Sequence, residues 1–482
     1  MDIVISAVAS ELVSRFISFL SNKYSSKVCL KKNLDRLQHL LLRVHTVVEE
    51  AQARHIVNPM MLSQLKTLTE AMFRGYDVLD TYMPLEKIGE EEEVSGSHTW
   101  PLVLTTARHL HTPSRNSTVM NCQVQRALEN METVVANMTE FVVLLTGCER
   151  MCRSPYSSYL YIDNFMFGRQ AEKQQVINIL LQENPFGVPT VLPVIGGCRV
   201  GKKTLAANVC SDDRVRSYYS SILHFRGDEI IQKIIDHEKF KPVRTLVTIE
   251  LVSDVPGKEF LKFYSLLASI VTEGSKVILI SRIDKLARFG TVSPVRIASL
   301  SHEEYSYLFK VLAFGSANPM DHPRLALVGK EMATAMQGSL VMLNVYASVL
   351  RKNLNIRFWR RVLELFRVIM NQNLAISGEH PKTLLERDGP PVDLTGLSLA
   401  SLSATSFRLK LLTTDKMDAS NSGLLPVMEF GDIIAGTMIF PRKFKLVWQS
   451  RIPPYTVISA NCAAENPQHS MAPRNKRRRL CM

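Results

Sequence analysis

The sequence predicts an α plus α/β protein: an N-terminal four-helix bundle, a parallel-sheet domain, a second helical region and an irregular C-terminal region. Over residues 30–48 leucine and valine recur every three or four positions, the spacing of one helical face. Between residues 190 and 281 apolar runs without polar alternation are followed in turn by helical stretches, the pattern of parallel strands covered on both faces. From residue 301 to 373 the helical period returns.

The four helices are expected within residues 1–150. Ile5, Val8, Leu12, Phe16 and Phe19 form the first apolar stripe, and Leu30, Leu34, Leu37, Leu41, Val44 and Val48 the second. Met61, Leu65, Leu68, Met72 and Leu79 form the third, and residues 121–150, ending in the apolar run 141–145, supply the fourth. Each helix has one apolar face and must bury it on the others. Residues 89–117 open with four glutamates, Glu90 to Glu93, are rich in Ser and Thr, and read as a long mobile loop. The acidic run is either a solvated linker or a docking site for a basic partner.

Strands are expected at residues 190–195, 221–225, 243–251 and 276–281, the first three each followed by a helix. Domains at 160–300 for the sheet, 301–375 for the helical region and 376–482 for the weakly patterned end follow from these changes of period.

A chain of 482 residues exceeds one small core, and its 46% hydrophobic and 21% charged content is that of a folded protein. Residues 3–20 carry Glu11 and Arg15 and follow an aspartate, which fits neither a secretory signal nor a membrane span. The eight cysteines then read as reduced cytoplasmic thiols, and Cys148 and Cys152, at i and i+4 without a second pair, as core thiols rather than a metal site. The net charge of +13 invites a nucleic-acid reading, yet no aromatic-and-basic recognition motif accompanies it. The densest basic run, Lys476 to Arg479, reads as a solvated tail, a nuclear-import signal or a contact for an anionic surface.

The segment VIGGCRVGKKTL, residues 194–205, sets Gly196, Gly201 and Lys202 at the G-x-x-x-x-G-K spacing of a phosphate-binding loop, with Gly197, Val200 and Thr204 between and beside them. It follows a strand and opens a helix, where backbone N–H groups and the helix N-terminus favour phosphate. A glycine-rich turn that binds nothing is the alternative. The position after Lys202, which in such loops carries a hydroxyl for Mg²⁺, is Lys203.

Four further segments stand in order around this loop. They are YDVLD at 76–80, MFGRQAEKQQVINILL at 166–181, GSKVILISR at 274–282 and LSHEEYSYLFKVLAFG at 300–315. Together they resemble the NB-ARC module of plant intracellular immune receptors of the coiled-coil class, with an Rx-type N-terminal domain, over roughly residues 1–350. The resemblance implies a P-loop NTPase fold of the STAND type with an ARC-like helical region, and ADP or ATP as ligand. It implies that Gly168 and Arg169 lie over the adenine and that Arg282 senses the terminal phosphate. It also implies protein partners, self-association included, for the N-terminal helices.

The chain departs from that family at its metal site. Lys203 stands where the family's Mg²⁺-binding threonine is expected, and a protonated amine is no metal ligand. Thr204 faces elsewhere. The acidic strand, which ends in two aspartates in the family, offers Glu250 and then Leu251. Leu340 in GSLVML, residues 338–343, replaces the proline of the family's GLPLAL motif; no Met-His-Asp segment follows, and His380 lacks its context. The leucines of residues 394–412 make no repeat array. The expectation is a non-catalytic nucleotide-binding protein of immune-receptor type whose binding depends little on Mg²⁺. The alternatives are a slow ATPase that uses Glu250 for its metal, a regulator or decoy that has lost the nucleotide, and a binder of nucleic acid through its positive charge.

Overall fold

The computed structural model describes residues 29–95, 113–151, 166–183, 188–226, 243–386, 392–393, 408–412, 425–429, 441, 443–449 and 457–465. They fall into two compact units. The first takes in residues up to 197, 201–308 and 318–327; the second takes in 198–200, 309–317 and everything from 328 onward.

The first unit opens with α1 (29–52), α2 (Pro59–Ser95), α3 (Pro113–Asn137) and α4 (Thr139–Thr146). The leucine–valine stripe is its core: Leu34, Leu37, Leu41, Val44 and Val48 are at most 1% exposed. They pack with the expected stripe of α2, Met61 to Leu79, and with Phe141 and Leu145 of α4. Gly75 lets α1 and α2 approach closely, because a Cβ there would stand 2.6 Å from Leu41 Cδ2. The stripe of residues 5–19 lies outside the described residues.

Two expectations are corrected here. Of the stretch expected as a loop at 89–117, the backbone of Glu90 to Glu93 continues α2 to Ser95 and residues 113–117 open α3, while 96–112 lie outside the described residues. Glutamate is a good helix former and proline suits a first helical turn, so the charge run extends the helix instead of ending it. The helix expected over 121–150 is two helices that part at Met138, just after Asn137, a residue type that competes poorly in helix interiors.

The parallel sheet contains β1 (Thr190–Gly196), β2 (Ser221–Arg226), β3 (Thr245–Leu251), β4 (Lys276–Ser281) and β5 (Val295–Ile297). Their order is β2-β3-β4-β1-β5 and every pairing is parallel. All six residues of β4 are buried, as an unbroken apolar run requires. β5 is three residues long and too short to show a pattern in the sequence. The helix expected after β2 falls outside the described residues. Helix α5 (Gln170–Leu181) precedes the sheet, α6 (Lys202–Cys210) and α7 (Asp213–Tyr218) follow β1, and α8 (Gly257–Ile270) follows β3. Lys276 caps the end of α5, its Nζ donating to Ile179 O at 2.7 Å and also to Gln182 O. Burial, helped by Arg244, lowers the pKa of this lysine to about 8. From β1 the chain crosses to β2 on one side and returns through β4 to β5 on the other. That reversal opens a crevice at the C-terminal end of β1, the place where open α/β sheets bind ligands.

Helix α9 (His302–Phe314) leads into the second unit, α10 (Pro323–Ala335) begins in the first and ends in the second, and α11 (Leu340–Arg351) and α12 (Ile356–Ser377) lie in the second, so residues 302–377 are mainly helical. Trp359, 0% exposed, lies at its centre. Within the weakly patterned C-terminal region the described residues include α13 (Pro381–Glu386) and then β6 (Val392–Asp393), β7 (Arg408–Leu412), β8 (Val427–Glu429), β9 (Lys443–Gln449) and β10 (Val457–Glu465), ordered β6-β7-β10-β9-β8. One face of this sheet buries Val392, Met428, Phe444, Leu446 and Cys462. Asn373 of α12 pairs with β6 as a strand would: its Nδ2 donates to Asp393 O at 2.7 Å and its Oδ1 accepts from Asp393 N at 2.9 Å. β7, inside the leucine-spaced stretch, pairs antiparallel with β10, unlike the stacked parallel strands of a leucine-rich repeat.

Candidate functional site

The phosphate loop sits in the crevice at the end of β1. A Cβ on Gly196 would stand 2.3 Å from Ile297 O, so glycine is what allows β5 to pass here. Arg199 and Gly201 turn the chain at φ of 54° and 95°, and Val200 between them is buried. α6 then starts at Lys202, and the N–H groups of its first turn, which includes Lys203 and the half-buried Thr204, have no acceptor within the helix. The Lys202 ammonium bends back over the loop and donates to Gly196 O at 2.8 Å and Gly197 O at 2.5 Å. A buried cation above a helix N-terminus fits a phosphate group, so the residues present suit the implied nucleotide.

They do not suit a divalent metal. Lys203 Nζ lies 2.7 Å from Glu250 Oε2, so the residue standing for the hydroxyl ligand neutralises the remaining acid of the strand end. Leu251, at the second acidic position, is 3% exposed and faces the core. Arg282 follows directly on β4, exposed, and Ser281 before it is in register with Ile195, which sets Arg282 at the same edge of the sheet as the loop.

Gly168 and Arg169, expected over the adenine, stand at the start of α5. Gly168 adopts φ 63° and its Cβ position would meet Leu300 Cδ2 at 2.7 Å. Arg169 is 5% exposed; it donates to Ala298 O and lies 3.9 Å from Glu172. Burial lowers its pKa, opposed by Glu172 and Glu304. Glu304 forms a capping box for α9, accepting from Ser301 N at 2.8 Å while Ser301 Oγ accepts from Glu304 N at 3.2 Å. Arg169 therefore ties its segment to Ala298 and Glu172. Of this segment it is Met166 that reaches the loop: a Cβ on Gly201 would stand 3.9 Å from its Cε. A cavity of about 160 Å³ beside Arg169 is lined by Thr69, Phe73, Gly168, Glu172 and Glu304, and no phosphate-loop residue takes part in it.

Sequence reasoning missed the seam that joins the bundle to this domain. Gln174 of α5 accepts from Ile56 N at 2.8 Å and donates to Arg54 O at 2.7 Å. Asn178, one turn on, donates to Ile56 O at 2.9 Å and contacts His55 Nε2 at 3.0 Å. Lys66 pairs with Glu172 at 2.9 Å. Beside these, Phe73, Tyr76, Phe167 and Tyr307 form an aromatic cluster with ring centroids 5.0–6.0 Å apart. Tyr76, the first residue of YDVLD, hydrogen-bonds His45 at 2.5 Å, and burial raises its phenol pKa. The i, i+4 spacing of Gln174 and Asn178 was the available signal.

In the second unit GSLVML serves as helix punctuation. Gly338 adopts φ 79°, Ser339 caps α11 by accepting from Met342 N at 3.4 Å, and Leu340 opens the helix. His380 accepts from Lys382 N at 3.1 Å and contacts Ala335 O at 3.3 Å, and burial lowers its pKa.

Known proteins show the same pattern. Residues 8–100 match the Rx N-terminal domain family. The chain is 22% identical over 378 residues to the disease resistance protein RGA2 of Solanum bulbocastanum, covering 73% of this chain and 38% of that one. It is 21% identical over 396 residues to the putative disease resistance RPP13-like protein 1 of Arabidopsis thaliana, covering 75% of this chain and 37% of that one. It therefore spans under two fifths of the length of these relatives. Domain III of the replication initiation protein DnaA of Thermotoga maritima is a looser structural likeness, 14% identical, covering 49% of this chain and 97% of that one with a TM-score of 0.24. No helix among the described residues is long and apolar enough to cross a membrane. The N-terminal helices therefore resemble the Rx N-terminal domain, and over 73–75% of its length the chain is similar to plant disease resistance proteins.

Proposed function

We propose that this immune-receptor-like chain holds ADP or ATP on the loop from Gly196 to Thr204 without hydrolysing it, and acts in defence through contacts made by its N-terminal helices. The observation that carries the reading is the state of the two loop lysines. Lys202 is buried over the loop with its ammonium on two backbone carbonyls, the posture of a cation ready for a phosphate, whereas Lys203 closes the metal position by pairing with Glu250. Phosphoryl transfer needs a metal, a positioned water and charge stabilisation together, and Glu250, the carboxylate of the strand end, is engaged by Lys203. The bundle, held to α5 by the Gln174 and Asn178 seam, supplies the partner surface, and the nucleotide domain acts as its scaffold.

A phosphate-release assay with ATP and Mg²⁺ tests the non-catalytic half. Wild type and Glu250→Gln are expected to match the buffer rate. Mg²⁺-dependent release that Glu250→Gln abolishes would establish the slow ATPase instead.

A further inference from the structure

We infer that Lys203 is a built-in substitute for the divalent ion, so that Mg²⁺ competes with this site for the nucleotide instead of completing it. The inference rests on the nucleotide-binding reading above and fixes the sign of its metal dependence.

The geometry is specific. Lys203 is the second residue of α6, and its ammonium reaches the carboxylate of Glu250 at the end of β3, spanning from the phosphate loop to the acidic strand. A metal bridging the nucleotide to that strand has to occupy this span. An arriving Mg²⁺ finds a fixed positive charge in its place, with its one carboxylate already bonded at 2.7 Å. The Lys203 side chain is 64% exposed and that of Glu250 is 24% exposed, so the ammonium can reach phosphate oxygens while it keeps the mostly buried carboxylate paired. An ammonium has three donors, enough to keep Glu250 on one and offer the others to a phosphate.

In solution Mg²⁺ and the loop then want the same oxygens. A nucleotide chelated by Mg²⁺ has lost two negative charges and presents coordinated oxygens to Lys202 and Lys203, so metal-free nucleotide is the form this site binds. Mg²⁺ chelates a triphosphate more firmly than a diphosphate because more oxygens reach it. With Mg²⁺ in excess the diphosphate is therefore the preferred occupant.

Isothermal titration with ADP and with ATP, each in chelator and in millimolar Mg²⁺, tests this on the full chain, on Lys203→Thr and on Glu250→Gln. Wild type is expected to bind both nucleotides several-fold more weakly with Mg²⁺, ATP losing more than ADP. Lys203→Thr, which restores a hydroxyl beside Glu250, is expected to reverse the sign and bind more tightly with Mg²⁺. Glu250→Gln, which releases Lys203 from its counter-ion, is expected to tighten ADP binding in chelator while keeping the wild-type sign. Wild-type affinity that is unchanged or tighter with Mg²⁺ overturns the inference, a comparison that needs no variant to fold. Absence of heat from wild type under every condition would instead remove the nucleotide-binding reading itself.

Discussion

Trp359→Ala is expected to destabilise the second unit by about 3–5 kcal/mol, the range for truncating a fully buried aromatic. The indole packs on Phe314 with ring centroids 5.1 Å apart, and a Cβ on Gly329 would lie 3.2 Å from its Cζ3. Its Nε1 donates to Leu350 O at 3.1 Å and to Asn353 O at 3.0 Å, carbonyls at the end of α11 and in the turn before α12. Truncation therefore leaves a cavity and removes a donor from the turn that joins two helices. Trp359→Phe retains most of the volume and loses only the donor, and should fall between the two. Urea unfolding followed by circular dichroism reads both. A loss below about 1 kcal/mol for the alanine variant would show that the site collapses around the missing ring and that the unit is not built on it.

The second large effect is expected at the seam. Gln174, 1% exposed, satisfies the N–H of Ile56 and the carbonyl of Arg54 with its own amide. Gln174→Ala strands both backbone groups, at a cost of about 1–3 kcal/mol each when buried. Asn178→Ala acts on the same network through Ile56 O, so the pair should be non-additive. Hydrogen exchange is expected to accelerate at Ile56 and through residues 53–57, and limited proteolysis to cut there, while the core of the bundle, Leu34 to Val48, keeps its protection. Unchanged exchange at Ile56 would mean that the two segments are held by the aromatic cluster of Phe73, Phe167 and Tyr307 alone.

Burial on a repeating face was the legible part of this chain. The α1 stripe and the strands β1, β3 and β4 announced themselves because one helical face, or both faces of a strand, must be apolar when covered. The loop was legible too, since glycines and a lysine at fixed spacing serve a backbone geometry. Where side chains act across long sequence separation the sequence was silent. Gln174 reads as one more polar residue of an amphipathic helix until Ile56, 118 positions away, is beside it. The contact of Arg169 could not be read either, because its carbonyl partner, on Ala298, lies 129 positions downstream. The C-terminal strands escaped notice because β6 and β8 have two and three residues, although Lys443 to Val447 alternates as a half-buried strand should. The Lys203–Glu250 pair could be suspected from the two departures, but their meeting was a matter of geometry.

On the proposed reading those departures leave a phosphate cradle without a metal site, and the existence of the cradle can be tested before its metal dependence. The measurement is calorimetric titration of the purified chain with ADP in chelator, beside Lys202→Ala, with thermal melting to show that the variant is folded. Saturable binding to wild type that the variant loses is the predicted result. No heat from wild type, or equal binding by the folded variant, would mean that the loop from Gly196 to Thr204 holds no nucleotide.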